Sequence, residues 1–247
     1  RDSKRDVIYS LEKIEKTAAG ANPLLYPAID WHKMLFKDQA VNDRLNLNIS
    51  GGGKIARYYV AATFNQDNGI LKVDKRNNFN SNIDLKKYLL RSNININVTP
   101  TTEIITRLHA TFDDYTGPLD GATKIFNDVI HANPVLFQPY YSPDEPNKHK
   151  KHIFFGNYDL GGYNNPYANL MRGYKEYTKT MVLSQFELRQ NLNFILKGLS
   201  VRGLYSNTNN SYYDVRRFYR PFYYSIGGYD DNTGKYTLFP INEETGT

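Results

Sequence analysis

The chain has 247 residues, and its 31 Lys and Arg against 25 Asp and Glu give a formal net charge of +6. Mean hydropathy is −0.61 and no stretch approaches the roughly 20 consecutive apolar residues of a spanning helix, which excludes a helical membrane protein. Balanced charge and 14% aromatic residues argue against a disordered chain, and the lack of Cys excludes disulfides and thiolate chemistry. Because the sequence begins Arg1-Asp2-Ser3, with neither Met nor an apolar leader, we expect a fragment of a longer protein.

The first segment with a clear period lies near the amino terminus. Residues 7–17 carry Ile8, Leu11 and Ile14 at helical spacing among Lys and Glu residues, and Gly20 follows. This pattern predicts a short amphipathic helix ending near the glycine.

Strict alternation of apolar and polar side chains begins at residue 44. Residues 44–50 place Leu and Ile on one side and Arg, Asn and Ser on the other, which predicts a two-faced strand. Residues 51–54, Gly-Gly-Gly-Lys, then turn the chain into a second run and predict a hairpin. Alternating runs of the same kind occupy residues 55–66, 88–98, 104–112, 178–192 and 199–207.

The connections between these runs alternate in length. Short turns at 51–54, 99–102 and 193–198 alternate with long segments at 67–83, at 115–175 and after 213. All short turns therefore lie at one end of the sheet, and a strand of about ten residues tilted by ~40° covers roughly 25 Å. This asymmetry is typical of an outer-membrane β-barrel, so we predict an all-β fold, an antiparallel transmembrane β-barrel segment with long folded extracellular loops.

This prediction divides the chain into five parts. Barrel strands occupy 44–114 (two hairpins) and 176–213 (one hairpin), and extracellular loop segments occupy 1–43 with its helix, 115–175, and 214–247 as a loop hairpin. In 115–175, Phe126, Val129 and Ile130 recur at helical spacing ahead of several prolines, so we expect a folded loop that carries function.

The faces of the strands predict their surroundings. The apolar face, expected to contact outer-membrane lipid, is formed by Leu45, Leu47, Ile49, Val60, Phe64, Ile94, Ile96, Leu108, Phe112, Val182, Phe186, Leu188 and Val201. The polar face carries one arginine from each strand, namely Arg44, Arg57, Arg91, Arg107, Arg189 and Arg202. We expect these arginines to form a belt in the turn-proximal half of the lumen, serving either as solvated lining or as a docking ring for an acidic internal domain; the second is favoured slightly.

A water-soluble antiparallel sandwich with its apolar face inward is the alternative architecture. The polar face is rich in Asn and Arg and poor in the Lys and Glu of a solvent-exposed surface, which favours a water-filled lumen. Six strands cannot close a barrel, whose smallest form has about eight. Open edges in lipid are forbidden, so we expect further strands outside this sequence.

Candidate sites for other chemistry are weak. Residues 51–54 lack the Ser or Thr that a phosphate loop needs after its Lys. His149 and His152 lie among lysines that repel a divalent cation, and the Asp pairs at 113–114 and 230–231 lack calcium-loop spacing. Lys and Arg are spread along the chain rather than clustered as in a nucleic-acid footprint. We therefore predict no catalytic residue, metal or cofactor, no enzyme activity and no nucleic-acid partner.

Many segments resemble the barrel of SusC/RagA-type TonB-dependent transporters, in the order found in that family. They include Asp30-Trp31 with Phe36, residues 46–53, 56–62, 65–70, 90–94, 132–135, 165–168, 172–174, 186–188, 196–200 and 221–224. The resemblance implies a 22-stranded barrel, an internal plug, energy from TonB, ExbB and ExbD through that plug, and a SusD-like surface lipoprotein over the mouth.

The function implied by the resemblance is outer-membrane import of oligosaccharides or peptides too large for porins. The sequence holds no TonB-binding segment, plug or closing strand that we can identify, and no ligand-binding residue is carried over from the family. Independently of the resemblance, the residues leave open a secreted carbohydrate-binding β-sandwich, in which Tyr and Trp would stack on sugars.

Overall fold

The structure, a computed structural model, describes residues 9–243. It is 48% strand and 14% helix, which confirms the all-β prediction in its broad form. The α-helices are α1 (Leu11–Ala18), α2 (Trp31–Leu35), α3 (Ala122–His131) and α4 (Pro166–Met171), and a 3₁₀ turn covers Glu145–Asn147. The strands are β1 (Asp43–Gly52), β2 (Ala56–Asn68), β3 (Asp84–Thr99), β4 (Thr102–Pro118), β5 (Tyr140–Tyr141), β6 (Phe154–Gly156), β7 (Gly173–Asn191), β8 (Ser200–Phe218), β9 (Tyr223–Tyr229) and β10 (Tyr236–Pro240).

Six long strands form one antiparallel sheet in the order β1-β2-β3-β4-β7-β8. Each of the six alternating runs is a strand of this sheet, because a period of two fits a sheet whose faces have different surroundings. Directly paired residues share a face, so the register aligns the apolar positions of neighbouring strands in rows. One such row joins Ile49 to Val60, Ser92, Leu108 and Ser184.

The short turns all lie at one end of this sheet, as predicted. Gly52 pairs with Arg57, Thr99 with Thr102, and Asn191 with Ser200. The long connections 69–83 and 119–172 leave from the opposite end, which we call the loop end. The predicted relation between short turns and long loops is therefore present in the fold.

The strands extend further toward the loop end than the alternating runs. β4 continues to Pro118, β7 begins at Gly173 and β8 continues to Phe218, beyond the predicted limits of 114, 176 and 213. Charged residues such as Asp114 and Glu176 interrupt the apolar alternation there, while backbone pairing continues unbroken. The strands extend beyond the alternating sequence pattern because the backbone hydrogen bonds between strands do not depend on side-chain polarity.

A second, smaller sheet has the order β10-β9-β6-β5 and lies in the folded loops. β6 runs parallel to β9, so segment 119–172 and the carboxy-terminal hairpin belong to one sheet. The main buried core draws on four segments of the chain: Trp31, Leu35 and Phe36; Leu71; Ile125, Val129, Leu136, Phe137 and Phe155; and Tyr167, Ala168, Leu170 and Met171. We call this assembly of the second sheet, α2, α3, α4 and segment 69–83 the loop assembly.

Within residues 9–243 the six-stranded sheet is open, with β1 and β8 at its edges, and it forms no closed barrel. The barrel of 22 strands implied by the family resemblance is therefore not part of the described fold. Among the described residues, no α-helix is both long and apolar enough to cross a bilayer.

Candidate functional site

The apolar face of the six-stranded sheet is largely uncovered. Every residue assigned to this face from the sequence lies on it, because directly paired residues share a face. Leu45 pairs with Phe64 on β2, for example, and Leu188 on β7 pairs with Ile104 on β4. Leu47 is 62% exposed and Ile49 is 60% exposed. The buried core of the loop assembly contains none of these residues. The face therefore needs an apolar environment that the described residues do not supply.

The apolar character of this face ends along β8. Asn207, Asn209 and Ser211 pair with Ser184, Val182 and Thr180 and thus share their face. Beyond Tyr205, β8 places only polar side chains on this face until Tyr213. The continuous apolar surface is therefore carried by β1 to β4 and β7.

The six arginines singled out from the sequence all lie on the polar face. We call the end of the sheet with the short turns the turn end. Counted from it, the first row of arginines holds Arg189 opposite Arg202, the second holds Arg57 and the third holds Arg107. Arg91 lies one row further. The prediction of a belt in the turn-proximal half is wrong for Arg44, which is the second residue of β1 and lies at the loop end. Arg44 lies there because β1 runs from the loop end toward the short turn at 51–54, so its first residues are far from that turn.

Glu187 is the centre of a cluster on the polar face, and its side chain has no exposed surface. The Arg107 Nη1 donates to one carboxylate oxygen at 2.9 Å, and the Nε atoms of Arg189 and Arg202 lie 2.6 and 2.7 Å from the other. Three guanidinium groups from three strands therefore share one carboxylate. Such charge-assisted bonds are stronger than neutral ones and fix the relative positions of the strands.

Glu103 extends the cluster toward β2. Its carboxylate lies 3.5 Å from Arg57 Nη2 and 3.4 Å from Arg189 Nη1, and it accepts a hydrogen bond of 3.1 Å from Asn95. We call Glu103, Glu187 and their four arginines the turn-end cluster. The alternation of residues 178–192 places Glu187 on the same face as Arg189. The sequence analysis identified neither Glu187 nor Glu103 as a partner of the arginines, because pairing across strands depends on register.

The loop assembly closes the opposite end of the sheet through contacts between distant segments. Phe36 forms a β-bridge with Leu71, and the indole of Trp31 donates to the Asn133 carbonyl at 3.0 Å. The folded character predicted for 115–175 is present, since α3 covers the residues at helical spacing. The amphipathic helix predicted at 7–17 is α1, displaced slightly toward Gly20; the part of the prediction at residues 7–8 lies outside the described residues.

A polar network of four side chains fixes segment 69–83 to the rest of the loop assembly. Arg76 donates to Asp74 at 2.7 Å, to the Tyr167 hydroxyl at 2.9 Å and to the Tyr140 hydroxyl at 2.7 Å, and Tyr167 donates to Asp74 at 2.8 Å. Burial alone would raise the pKa of the Asp74 carboxyl. Hydrogen bonds from the Arg76 backbone amide and the Tyr167 hydroxyl, together with the Arg76 charge, hold that pKa below its usual range. Burial and the bond to Asp74 raise the pKa of the Tyr167 hydroxyl.

His152, one of the two histidines considered for a metal, packs among aromatic rings. His152 packs between Phe154 and Phe222, and its Nε2 lies 2.8 Å from the Tyr224 hydroxyl. Burial, with the nearby Lys150 charge, lowers the pKa of the His152 ring and favours its neutral form. No group of three or more His, Asp or Glu suited to a metal ion occurs among the described residues.

Comparison with known proteins adds no identification: no protein-family model matches the chain, and no curated protein matches it either.

Proposed function

We propose that this chain forms part of the wall and mouth of an outer-membrane β-barrel, within a TonB-linked importer of large nutrients of the SusC/RagA type. The observation that carries the proposal is the six-stranded sheet. One of its faces is apolar and exposed along β1 to β4 and β7, and the other face is polar. Its short turns share one end, and its long connections fold together at the other.

The apolar face supports a lipid environment. On β3 its apolar side chains run from Tyr88 to Val98, interrupted only by Ser92. Ten residues at ~3.3 Å rise and a tilt of ~40° correspond to about 25 Å of height, which equals the apolar band of outer-membrane barrels. Charged residues begin immediately beyond this band at the loop end, where Lys86 and Asp114 form the next row. A membrane would therefore cover the apolar rows and leave the charged rows at its surface.

The alternative of a soluble carbohydrate-binding sandwich fits these observations less well. A sandwich covers the apolar face of one sheet with the apolar face of a second. The second sheet here packs in the loop assembly, and in residues 9–243 it leaves Leu47 and Ile49 exposed. An uncovered face of this size in water is an aggregation liability.

The rest of the importer would come from parts of the polypeptide outside this sequence. Further strands would pair with β1 and β8, and a plug would fill the lumen and receive energy from TonB, ExbB and ExbD. A separate SusD-like lipoprotein would cover the loop assembly. In this arrangement the loops face the cell exterior, the short turns face the periplasm, and the cargo is an oligosaccharide or a peptide.

The turn-end cluster refines the proposed docking of the plug. Four arginines and two glutamates leave a net charge of +2, so neighbouring strands already supply half of the neutralising carboxylates. A plug would need to offer few acidic groups here. Conductance of the full-length protein carrying both Arg107→Ala and Arg189→Ala tests this docking role: a leak is expected, and an unchanged, sealed pore would show that the arginines only line the lumen.

The topology is tested by labelling introduced cysteines, since the sequence has no Cys of its own. Leu160→Cys in the long loop and Phe194→Cys in a short turn start from side chains that are 89% and 72% exposed. In a Cys-free form of the full-length protein, a membrane-impermeant maleimide should label the first variant on intact cells, and the second only after the outer membrane is permeabilised. Equal labelling of both on intact cells, or recovery of the protein without detergent, would reject the barrel.

The import function is tested by uptake. Cells producing the full-length protein should accumulate a fluorescent oligosaccharide or peptide cargo, and collapse of the proton-motive force should stop accumulation. Uptake that continues without that force would indicate a passive pore instead of a TonB-linked importer.

A further inference from the structure

A cleft of about 720 Å³ lies where the polar face of the sheet meets the loop assembly. Its lining includes Tyr115 and Tyr177 from the sheet and Gly121 at the start of α3. Four cations also line it: Arg172, Lys175, Arg216, and Lys124, which pairs with Asp128. Its size falls within the range of small-molecule sites, about 300–1,000 Å³. In the proposed barrel this position is the inner wall of the mouth.

The cations of the cleft are incompletely neutralised. Asp214 is shared by Lys175, at 3.9 Å from its Nζ, and by Arg216, at 3.2 Å from its Nε. Arg172 pairs with Asp120, but its Nε is buried and has no hydrogen-bond partner among the described residues. A single carboxylate between two cations leaves an excess of positive charge. The planar guanidinium of Arg216, whose side chain is 58% exposed, can receive a second carboxylate.

Tyrosine side chains supply the other half of the site. Tyr115 and Tyr177 stack with ring centroids 4.7 Å apart, and Tyr212 continues the row at 5.7 Å from Tyr177. Lys175 Nζ lies 5.6 Å from the Tyr177 centroid, so the cation and the rings share one surface. Tyrosine presents an apolar ring and a hydroxyl that donates and accepts hydrogen bonds. Such a surface suits a ligand with both apolar C–H faces and many hydroxyl groups.

We propose that this cleft binds an acidic oligosaccharide, one that carries carboxylate groups as uronate residues do. The cations would pair with the sugar carboxylates, and the carboxylate of Asp120, at the cleft edge, would accept hydrogen bonds from sugar hydroxyls. An acidic peptide fits less well because it would bring dense negative charge to Asp120 without hydroxyl donors. The inference rests on the proposed function, since it names the class of cargo for that importer.

The test is equilibrium binding to the purified full-length protein in detergent, which requires no transport. The probes are an oligogalacturonate of four residues, a neutral galactose oligomer of the same length, and a glutamate peptide of the same charge. Oligogalacturonate should bind at least about tenfold more tightly than either other probe. Equal binding of the neutral oligomer, tighter binding of the peptide, or no binding of oligogalacturonate would overturn the proposal.

Variants locate the binding. Arg216→Ala and, separately, Lys175→Ala should weaken oligogalacturonate binding by about tenfold or more, and Arg216→Lys should weaken it less, because charge remains while the planar fork is lost. Lys179→Ala is the matched control, since Lys179 is an exposed lysine on the same strand and face but outside the cleft. Equal weakening by Lys179→Ala would place the effect in general charge and reject this site.

The two proposals can fail separately. Normal cysteine labelling and energy-dependent uptake together with absent oligogalacturonate binding would reject only the acidic-sugar cleft. Conversely, binding that depends on Arg216 in a protein recovered without detergent would reject the barrel and leave the cleft standing.

Discussion

Introducing one arginine on either face of β1 gives a direct measure of what surrounds the sheet. Ile49 and Asn48 are neighbours on opposite faces, and both are exposed in the described structure. Ile49 belongs to the row of Val60 and Ser92, and Ser92 lies within one residue of the centre of the apolar run from Tyr88 to Val98 on β3. In a bilayer this row lies at the midplane, where an arginine costs about 2–4 kcal/mol. Ile49→Arg should lose that amount of folding free energy, and Asn48→Arg, in an aqueous lumen, should lose much less.

Depth supplies a second, graded comparison. Leu45 lies on the same face and strand as Ile49, four residues closer to the loop end. At ~3.3 Å rise and ~40° tilt this is a displacement of about 10 Å from the midplane. Leu45→Arg should therefore cost only about 0–1 kcal/mol, the range for positions near the membrane interface.

The measurement is reversible denaturant unfolding of the full-length protein in phospholipid bilayers, followed by tryptophan fluorescence. The expected order of destabilisation is Ile49→Arg first, with Leu45→Arg and Asn48→Arg well below it. If Asn48→Arg costs as much as Ile49→Arg, the two faces do not differ in environment. If Leu45→Arg costs as much as Ile49→Arg, the sheet does not cross a bilayer with the depth inferred from its rows.

Three further substitutions test other parts of the structure. Glu187→Gln should lower the melting temperature of the full-length protein because three guanidinium groups lose their shared carboxylate, whereas Glu176→Gln, on the opposite face and exposed, should change it little. The pKa of Asp74 is depressed in the folded state, so its ionised carboxylate stabilises the fold fully above its unfolded pKa of about 3.9. That stabilisation is lost as the pH falls through the folded pKa. Asp74→Asn should therefore reduce the acid sensitivity of the loop assembly, as measured by near-UV circular dichroism between neutral and low pH. Gly156→Ala, in β6, would place a methyl group against the Gln138 carbonyl oxygen, so protease should cut segment 119–172 readily. Gly162→Ala, with open space around it, should remain as resistant as the parent.

The six long strands could be predicted from sequence because their signal is local. Residues 44–50 alternate without exception, and the alternation follows directly from two faces with different surroundings. The pairings β1-β2, β3-β4 and β7-β8 also follow, since a short turn brings its two strands side by side. By contrast, β2 pairs with β3 and β4 with β7 across long connections. The second sheet could not be predicted in the same way. β5 has two residues and β6 has three fully buried ones, which is too short for a period and lacks a polar face.

The sites depended on information that the sequence does not hold locally. That Arg107 and Arg189 lie on the polar face follows from alternation, but their convergence on Glu187 requires the register between β4 and β7. Tyr167 lies 91 residues from Arg76, and nothing in either neighbourhood indicates their hydrogen bond. The cleft at the loop end has the same origin, because its walls come from strands, a helix start and a connection that meet only in the fold.

The shared core of the loop assembly has a consequence for how this surface can change. Leu71, Phe36 and Tyr167 come from three separate segments but are buried in one cluster, and the Ile29 amide bonds to the Pro134 carbonyl across the assembly. If one segment alone were replaced by that of a divergent homologue, its neighbours would pack against a mismatched surface. The protein would then lose folding stability, as it does when a core contains a cavity or is overpacked. Chimeras should therefore fold only when the interlocked segments are transferred together. Diversification of the loop assembly under natural selection would follow the same constraint and proceed by exchange of the whole assembly.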